Sequence, residues 1–372
     1  MKILHLLAAG EIGGIETLVK NYDEYSKHEN LYFFVWKGGI IADELKARGR
    51  KTIILNKTNR HFFEIFSAAE QVCKKERIQA VIVHHEAPLL KLLMLGLKVR
   101  VPNLTVLAYA HAHADIICDT SKAKGLAIRK FVQRIGFSSA DGVIAISDIV
   151  AKSLKNLIKI QDGKIKILYN GIPLKKYKDS YSKEKKDAFY VTYVGRLSKE
   201  KGVQNILKMF SALSEHTLER IKLQIVGDGP YRKALEDMVK EEKLSCVSFL
   251  GNRTDVAEIL KGSHCFVHFP ACEEGFGIAI VEAMAAGNVC ICLNRGAVGE
   301  ILKHHESGYV LEELNPTQLE ELLLSVMENY ETEEIANLRK NAIKQAAEFD
   351  IEQFTRQLDE YVVTMTEKKN SK

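Results

Sequence analysis

No apolar run in this 372-residue chain approaches the roughly 18 residues that a membrane-spanning helix needs. The seven cysteines, Cys73, Cys118, Cys246, Cys265, Cys272, Cys290 and Cys292, are scattered, odd in number and without a C-x-x-C pair. A disulfide framework and a zinc site are therefore not expected. Several of them lie in strand-like runs (HCFVHF, NVCICL), where buried free thiols are the natural reading. G-x-G-x-x-G and G-x-x-x-x-G-K-S/T are both missing, which counts against dinucleotide oxidoreductases and P-loop enzymes. There is no D-x-D to seat a divalent metal on a diphosphate, no short repeat and no low-complexity segment. The opening MKILHLLAAG begins like a signal peptide, but its apolar run is short, and GEIGG stands where a cleavage site would be expected. It reads as a first β-strand, and a cytoplasmic location follows as an expectation.

What is present is the composition of an ordinary globular protein, 46% hydrophobic and 27% charged. The length suits two domains of about 100–200 residues each. The net charge of +5 conceals an asymmetry: residues 1–186 hold 32 Lys and Arg against 18 Asp and Glu, the remainder 21 against 30. A basic first half could face anionic lipid, a phosphate-bearing acceptor, or solvent alone. Strand-like runs KILHLLA, LYFFVW, KTIIL, AVIVHH, LTVLAYA, GVIAIS and KIKILY alternate with helical stretches such as IETLVKNYDEYSK. A second series follows: YVTYVG, IKLQIVG, CVSFLG, CFVHF, NVCICLN and GYVLE. Buried-strand runs between amphipathic helices predict parallel sheets covered on both faces. Between the two series lies a polar, lysine-rich stretch, GIPLKKYKDSYSKEKKD. The expected organisation is α/β: a Rossmann-like domain over 1–170, a linker over 171–187 and a second Rossmann-like domain over 188–350. A helix over 351–372 is expected to pack back towards the first domain. Two doubly wound domains of this kind would have a cleft between them.

Open parallel sheets bind ligands where strands end and helices begin. After the first strand, GEIGGIETLV sets Gly13 and Gly14 at a helix N-terminus, where free N–H groups favour an anion. Tight strand-to-helix packing also uses glycine. YVGRLSKEKGV puts Arg196 and Lys201 in a similar loop. The pair suits a diphosphate, because the guanidinium bonds it bidentately and the ammonium adds charge. A solvated loop with paired charges, Glu200 included, is the plain alternative. IVGDGP places Gly227 after another strand, and LAYAHAHAD sets His111 and His113 at a strand's carboxyl end. No third ligand accompanies those histidines, so substrate contact fits better than metal binding. His84-His85-Glu86 could line the same cleft. In EEGFGIAIVEAMAAG, Glu274 precedes a glycine turn and Glu282 rides an otherwise apolar helix.

With GEIGGIETLV, NGIP, YVGRLSKEKG, IVGDGP, EEGFGIAIVEAMAAG and GEILKHHESGYVL in this order, the chain resembles the retaining glycosyltransferases of family 4, which have the two-domain GT-B fold. It is similar in particular to bacterial capsular and exopolysaccharide enzymes. The resemblance covers essentially the whole chain, and its most specific piece is the Glu274 and Glu282 pair in its EGFG setting. It implies a nucleotide-sugar donor, most commonly a UDP-sugar, with GDP-mannose the main rival. Glu282 would bond the ribose hydroxyls and Glu274 the donor sugar. Arg196 and Lys201 would grip the diphosphate, helped by N–H groups of Gly277, Ile278 and Gly14. Gly13, Asn170 and Gly227 complete the implied donor-binding set. His111 matches the histidine that meets the donor sugar near the reacting carbon, with His113 the second choice. His85 and His113 remain candidates for sugar or acceptor. Ala279 and Asn288 stand where the family often has Pro, away from the charged groups.

The family transfers with retention, and no residue here announces itself as the carboxylate nucleophile of a retaining glycosidase. A front-face route, with the leaving phosphate taking the acceptor's proton, is expected, without cofactor or metal. The acceptor is expected to be a saccharide or a lipid-linked saccharide, and no nucleic-acid partner is expected. The basic half, with KAKGLAIRKFVQR at 122–134, could contact an anionic membrane, giving a peripheral location on its inner face. Three alternatives are a nucleotide-sugar 2-epimerase, which lacks this glutamate pair, a glycoside hydrolase, which has no diphosphate to hold, and a non-catalytic transferase partner. The last sits badly with intact Arg196, Lys201, Glu274 and Glu282.

Overall fold

The apolar runs of the first half extend as strands because β-branched and aromatic side chains fill both faces of a pleated ribbon. In the computed structural model, which describes residues 1–118, 124–177 and 188–371, they form seven strands. These are β1 (Lys2–Ala9), β2 (Glu29–Lys37), β3 (Thr52–Ile54), β4 (Ala80–Val83), β5 (Thr105–Ala110), β6 (Gly142–Ala145) and β7 (Ile165–Ile167). All pair in parallel, in the order β3-β2-β1-β4-β5-β6-β7. Every residue of β4, β5 and β6 is buried, as strands covered on both faces require.

The second series gives β8 (Phe189–Val194), β9 (Ile221–Val226), β10 (Val247–Gly251), β11 (Cys265–His268), β12 (Val289–Leu293) and β13 (Tyr309–Leu311). This sheet is also parallel, in the order β10-β9-β8-β11-β12-β13. Val191, Ile225, Val267 and Ile291 meet Leu207, Phe210 and Leu323 from the covering helices in one apolar core. The two sheets thus share one Rossmann-like order. In each, the order reverses beside its first strand, between β1 and β4 and between β8 and β11, and loops leaving such a pair diverge to open a crevice.

The chain divides into two units, Met1–Gly171 with Ile351–Lys372, and Ile172–Asp350. The C-terminal helix Ile351–Asn370 is tied into the first unit through Asp359. Its carboxylate accepts from the Tyr22 hydroxyl at 2.6 Å, from the Ser26 hydroxyl at 3.1 Å and from the Lys27 N–H at 3.1 Å. Of the polar stretch 171–187, residues 178–187 lie outside the described residues. The short turn Leu174–Tyr177 belongs to the second unit and packs on the helix Ile278–Ala285. All seven cysteines are free thiols, and only Cys272 is not fully buried. Among the described residues no helix is long and apolar enough to cross a membrane.

Candidate functional site

At the switch point of the second sheet, β8 runs into Gly195-Arg196 and a short helical turn, Lys199–Lys201. Gly202 follows with φ +74°, and a Cβ there would strike the Phe269 carbonyl. Only glycine lets the Lys201 loop lie on the segment leaving β11. That segment supplies His268, the last residue of β11, and Glu274. Lys201 Nζ donates to the Glu274 carboxylate at 2.8 and 3.1 Å, and His268 Nε2 lies 3.1 Å from it. From the other side the Ala297 N–H donates to the Glu274 carbonyl at 2.9 Å. Gly296, φ +64°, presses so closely on the Glu274 backbone that no Cβ fits. Lys201 and His268 thus hold the carboxylate, and Gly296 and Ala297 hold the backbone that carries it.

Burial opposes the charge of Glu274, but the Lys201 ammonium and the His268 hydrogen bond outweigh it and hold the carboxyl well below the usual carboxylate range. Burial likewise works to lower the Lys201 pKa, and Glu274 reverses this and raises it. The Lys201 side chain keeps 38% of its surface exposed. Arg196 is exposed, and among the described residues it makes no ion pair or side-chain hydrogen bond.

Gly277 caps the helix Ile278–Ala285. The N–H groups of Gly277 and Ile278 have no partner among the described residues, and free N–H groups at a helix terminus suit an anion. On the helix, Ile280, Val281, Ala283 and Met284 are buried in the core, and Glu282 is half-buried. Burial pushes the Glu282 carboxyl up to about 7, against a hydrogen bond from Tyr177 and the charge of Lys176. Gly227 is placed differently from the rest, since its N–H already donates to the Gly251 carbonyl at 2.8 Å.

In the first unit, Gly13 precedes the helix Gly14–Tyr25, but Glu16 of its first turn folds its carboxylate back against Gly13. Glu16 Oε1 also lies 3.3 Å from His85 Nε2. The anion expected at this terminus would meet the chain's own carboxylate. His111 stands at the end of β5, its N–H donating to Glu86 at 2.6 Å and its Nε2 lying 3.4 Å from His84 Nδ1. His113 is turned to its neighbour, with Nδ1 3.2 Å from the Asp115 carboxylate. Asn170 is buried, with its carboxamide oxygen unpaired among the described residues. Among those residues no group of three or more His, Cys, Asp or Glu could hold a metal ion.

The structure thus brings Lys201 and Glu274 into direct contact and puts Glu282 and the Gly277–Ile278 N–H groups on the helix that follows. It adds His268 and Tyr177, which the sequence alone does not single out. His268 looks like one more residue of a buried strand, although it is the polar end of an apolar run. Tyr177 sits in a lysine-rich stretch with no periodic signal.

Residues 12–176 match the family model of Glycosyltransferase Family 4, and residues 175–348 match that of Glycosyl transferases group 1. The chain is 28% identical to N-acetyl-alpha-D-glucosaminyl L-malate synthase of Bacillus anthracis over 59% of its own length and 58% of the relative's. It is 25% identical to N,N'-diacetylbacillosaminyl-diphospho-undecaprenol alpha-1,3-N-acetylgalactosaminyltransferase of Campylobacter jejuni over 58% of each chain. It thus spans a little more than half the length of these curated relatives. HepE of Anabaena, solved with UDP-glucose, superposes with a TM-score of 0.84 over 98% of this chain and 100% of that one, at 19% identity. With two family models meeting at the start of the second unit, and the paired Rossmann-like sheets of HepE, the chain belongs to the family 4 and group 1 glycosyltransferases of the GT-B class.

Proposed function

We propose that this protein transfers a sugar from a UDP-sugar to a hydroxyl of a saccharide acceptor, with retention at the anomeric carbon. The observation that carries the reading is the second unit's crevice: a buried, ionised Glu274 clamped by Lys201 and His268, close to an open helix N-terminus, with the exposed Arg196 on the loop that carries Lys201. Two cations and free N–H groups suit a departing diphosphate, whose charge grows in the transition state. Glu274 and Glu282 are hydrogen-bond acceptors, suited to the hydroxyls of a sugar and a ribose. Both Glu274 oxygens accept from Lys201, which favours a holding role over nucleophilic attack. In the front-face route the bond from the anomeric carbon to the diphosphate oxygen breaks. The acceptor oxygen bonds to that carbon on the same face, and its proton passes to the departing phosphate.

A uridine donor is supported by the UDP-glucose bound to HepE. A lipid-linked acceptor, of the kind used in capsule or exopolysaccharide synthesis, is supported by the diphospho-undecaprenol in the Campylobacter relative's name. An anionic membrane surface fits the helix Leu126–Ser139. It exposes Ile128 (69%), Phe131 (63%) and Ile135 (39%) in one stripe beside Arg134. Residues 122 and 123 of the basic stretch lie outside the described residues. Binding to anionic vesicles at low salt, lost in Phe131→Asp, tests that part; indifference to them would sink it. The decisive experiment is ligand-observed NMR with a panel of UDP- and GDP-sugars in the absence of metal. One sugar nucleotide should saturate, and Glu282→Ala should abolish the signal; binding of none would overturn the reading.

A further inference from the structure

Behind His111 the first unit carries a row of imidazoles that runs into its core. His111 Nε2 lies 3.4 Å from His84 Nδ1, His84 Nε2 lies 2.9 Å from His5 Nδ1, and His5 Nε2 lies 3.2 Å from Asn30 Oδ1. His5, His84 and Asn30 are respectively 0%, 1% and 2% exposed. They come from β1, the residue after β4, and β2, so three adjacent strands hold the row in place. The His5 and His84 rings stack at 5.2 Å, and the Tyr109 ring lies 4.2 Å from that of His111. Burial lowers all three imidazoles: His5 to about 4, in spite of Asn30, Asp23 and Asp359, and His84 and His111 well below their ordinary value. The row is neutral near pH 7.

A neutral imidazole has one N–H and one lone pair, so hydrogen bonds along such a row must all run the same way. The Asn30 carboxamide oxygen accepts from His5 Nε2–H. His5 Nδ1 then accepts from His84 Nε2–H, and His84 Nδ1 accepts from His111 Nε2–H. What remains at the open end is the lone pair on His111 Nδ1, which makes no hydrogen bond among the described residues.

We propose that Asn30, His5 and His84 are positioning residues that lock His111 in its Nε2–H tautomer, so that Nδ1 meets a ligand hydroxyl as an acceptor. The consequence for transfer rests on the proposed role of His111 at the donor sugar. The tautomer itself is a property of the free protein. Two-bond proton–nitrogen correlation spectra of histidine-labelled protein at neutral pH read it directly. His5, His84 and His111 should all be protonated on Nε2. In Asn30→Leu and His84→Phe, His111 should pass to a mixture of tautomers, with kcat down about tenfold and KM for the donor little changed. A wild-type His111 protonated on Nδ1 would overturn the proposal, and this readout needs no variant to fold. So would an Nε2–H His111 that persists unchanged in both variants. A protein with the expected tautomers that binds no sugar nucleotide would leave the locking intact and sink the donor reading instead.

Discussion

The two sheets share one strand order, yet their switch points are electrically opposite. That of the first is lined by imidazoles that burial keeps neutral. That of the second holds an ammonium and a carboxylate that stay charged 2.8 Å apart. An imidazole enters the interior at modest cost because it sheds its proton near neutral pH. Lys201 and Glu274 stay charged instead, because each offsets the other's loss of hydration. The first crevice can therefore offer directed hydrogen bonds, and the second can hold the charge of a leaving group. A smaller contrast lies inside the second crevice. Glu274 has gained a cation and a histidine, and its carboxyl is depressed. Glu282 has the Tyr177 hydroxyl and a less effective Lys176, and its carboxyl rises to about 7.

Lys201→Ala attacks the contrast most directly, since it removes a cation from the proposed diphosphate site and strands a buried carboxylate. We expect kcat/KM to fall at least about 100-fold, roughly 3 kcal/mol of transition-state stabilisation. The Tm should also drop, by the equivalent of about 2 kcal/mol. That is less than a fully buried pair would lose, because the Lys201 side chain is partly exposed. An unchanged rate in a steady-state transfer assay would remove the electrical distinction between the crevices.

The two glutamates should respond to pH with opposite signs. Burial raises the Glu282 carboxyl from 4.5 to about 7, so its contribution to stability is complete below the unfolded value and is lost as pH rises through about 7. Relative to Glu282→Gln, the wild type should therefore weaken between pH 4.5 and 7, by up to about 3 kcal/mol. Denaturant midpoints of the two proteins across that range measure this, and a constant difference would refute the assignment. Nucleotide affinity should rise over the same range, because the ionised carboxylate is the better acceptor for ribose hydroxyls.

Glu274 is depressed instead, so its contribution is present above its unfolded value and fades as pH falls through the lower folded one. Relative to Glu274→Gln, the wild type should be more stable at pH 7 by about 1–2 kcal/mol. That advantage should shrink below pH 4.5, and an advantage that grew on acidification would reverse the pairing described for Lys201. The smallest expected effect is none at all: excess EDTA should leave transfer unchanged, and strict loss of activity would show that a metal assists the cations.

Much of this was legible in the linear chain. The runs that become β1 to β13 could be read because a strand buried on both faces writes a continuous apolar segment, and its covering helices write amphipathic ones. Arg196, Lys201 and Glu274 follow strands, where open sheets keep their ligand groups, and Glu282 interrupts an apolar helix. The contacts that define the site were not legible. Lys201 and Glu274 are 73 residues apart, and His5 and His84 are 79. No local pattern marks such partners. Tyr177 lies in the polar stretch read as linker, and folding sets it against Glu282, as it sets Glu16 against His85.

By itself the sequence determined the alternation of strands and helices, hence two parallel sheets, and which loops would carry charged and imidazole side chains. Those are consequences of short-range periodicity and of where a parallel strand must end. Only the tertiary structure decided which groups stay charged, which are kept neutral, and which nitrogen of His111 meets His84. Each of these depends on desolvation and on partners brought in from distant strands, and such sums exist only once the chain has closed around them.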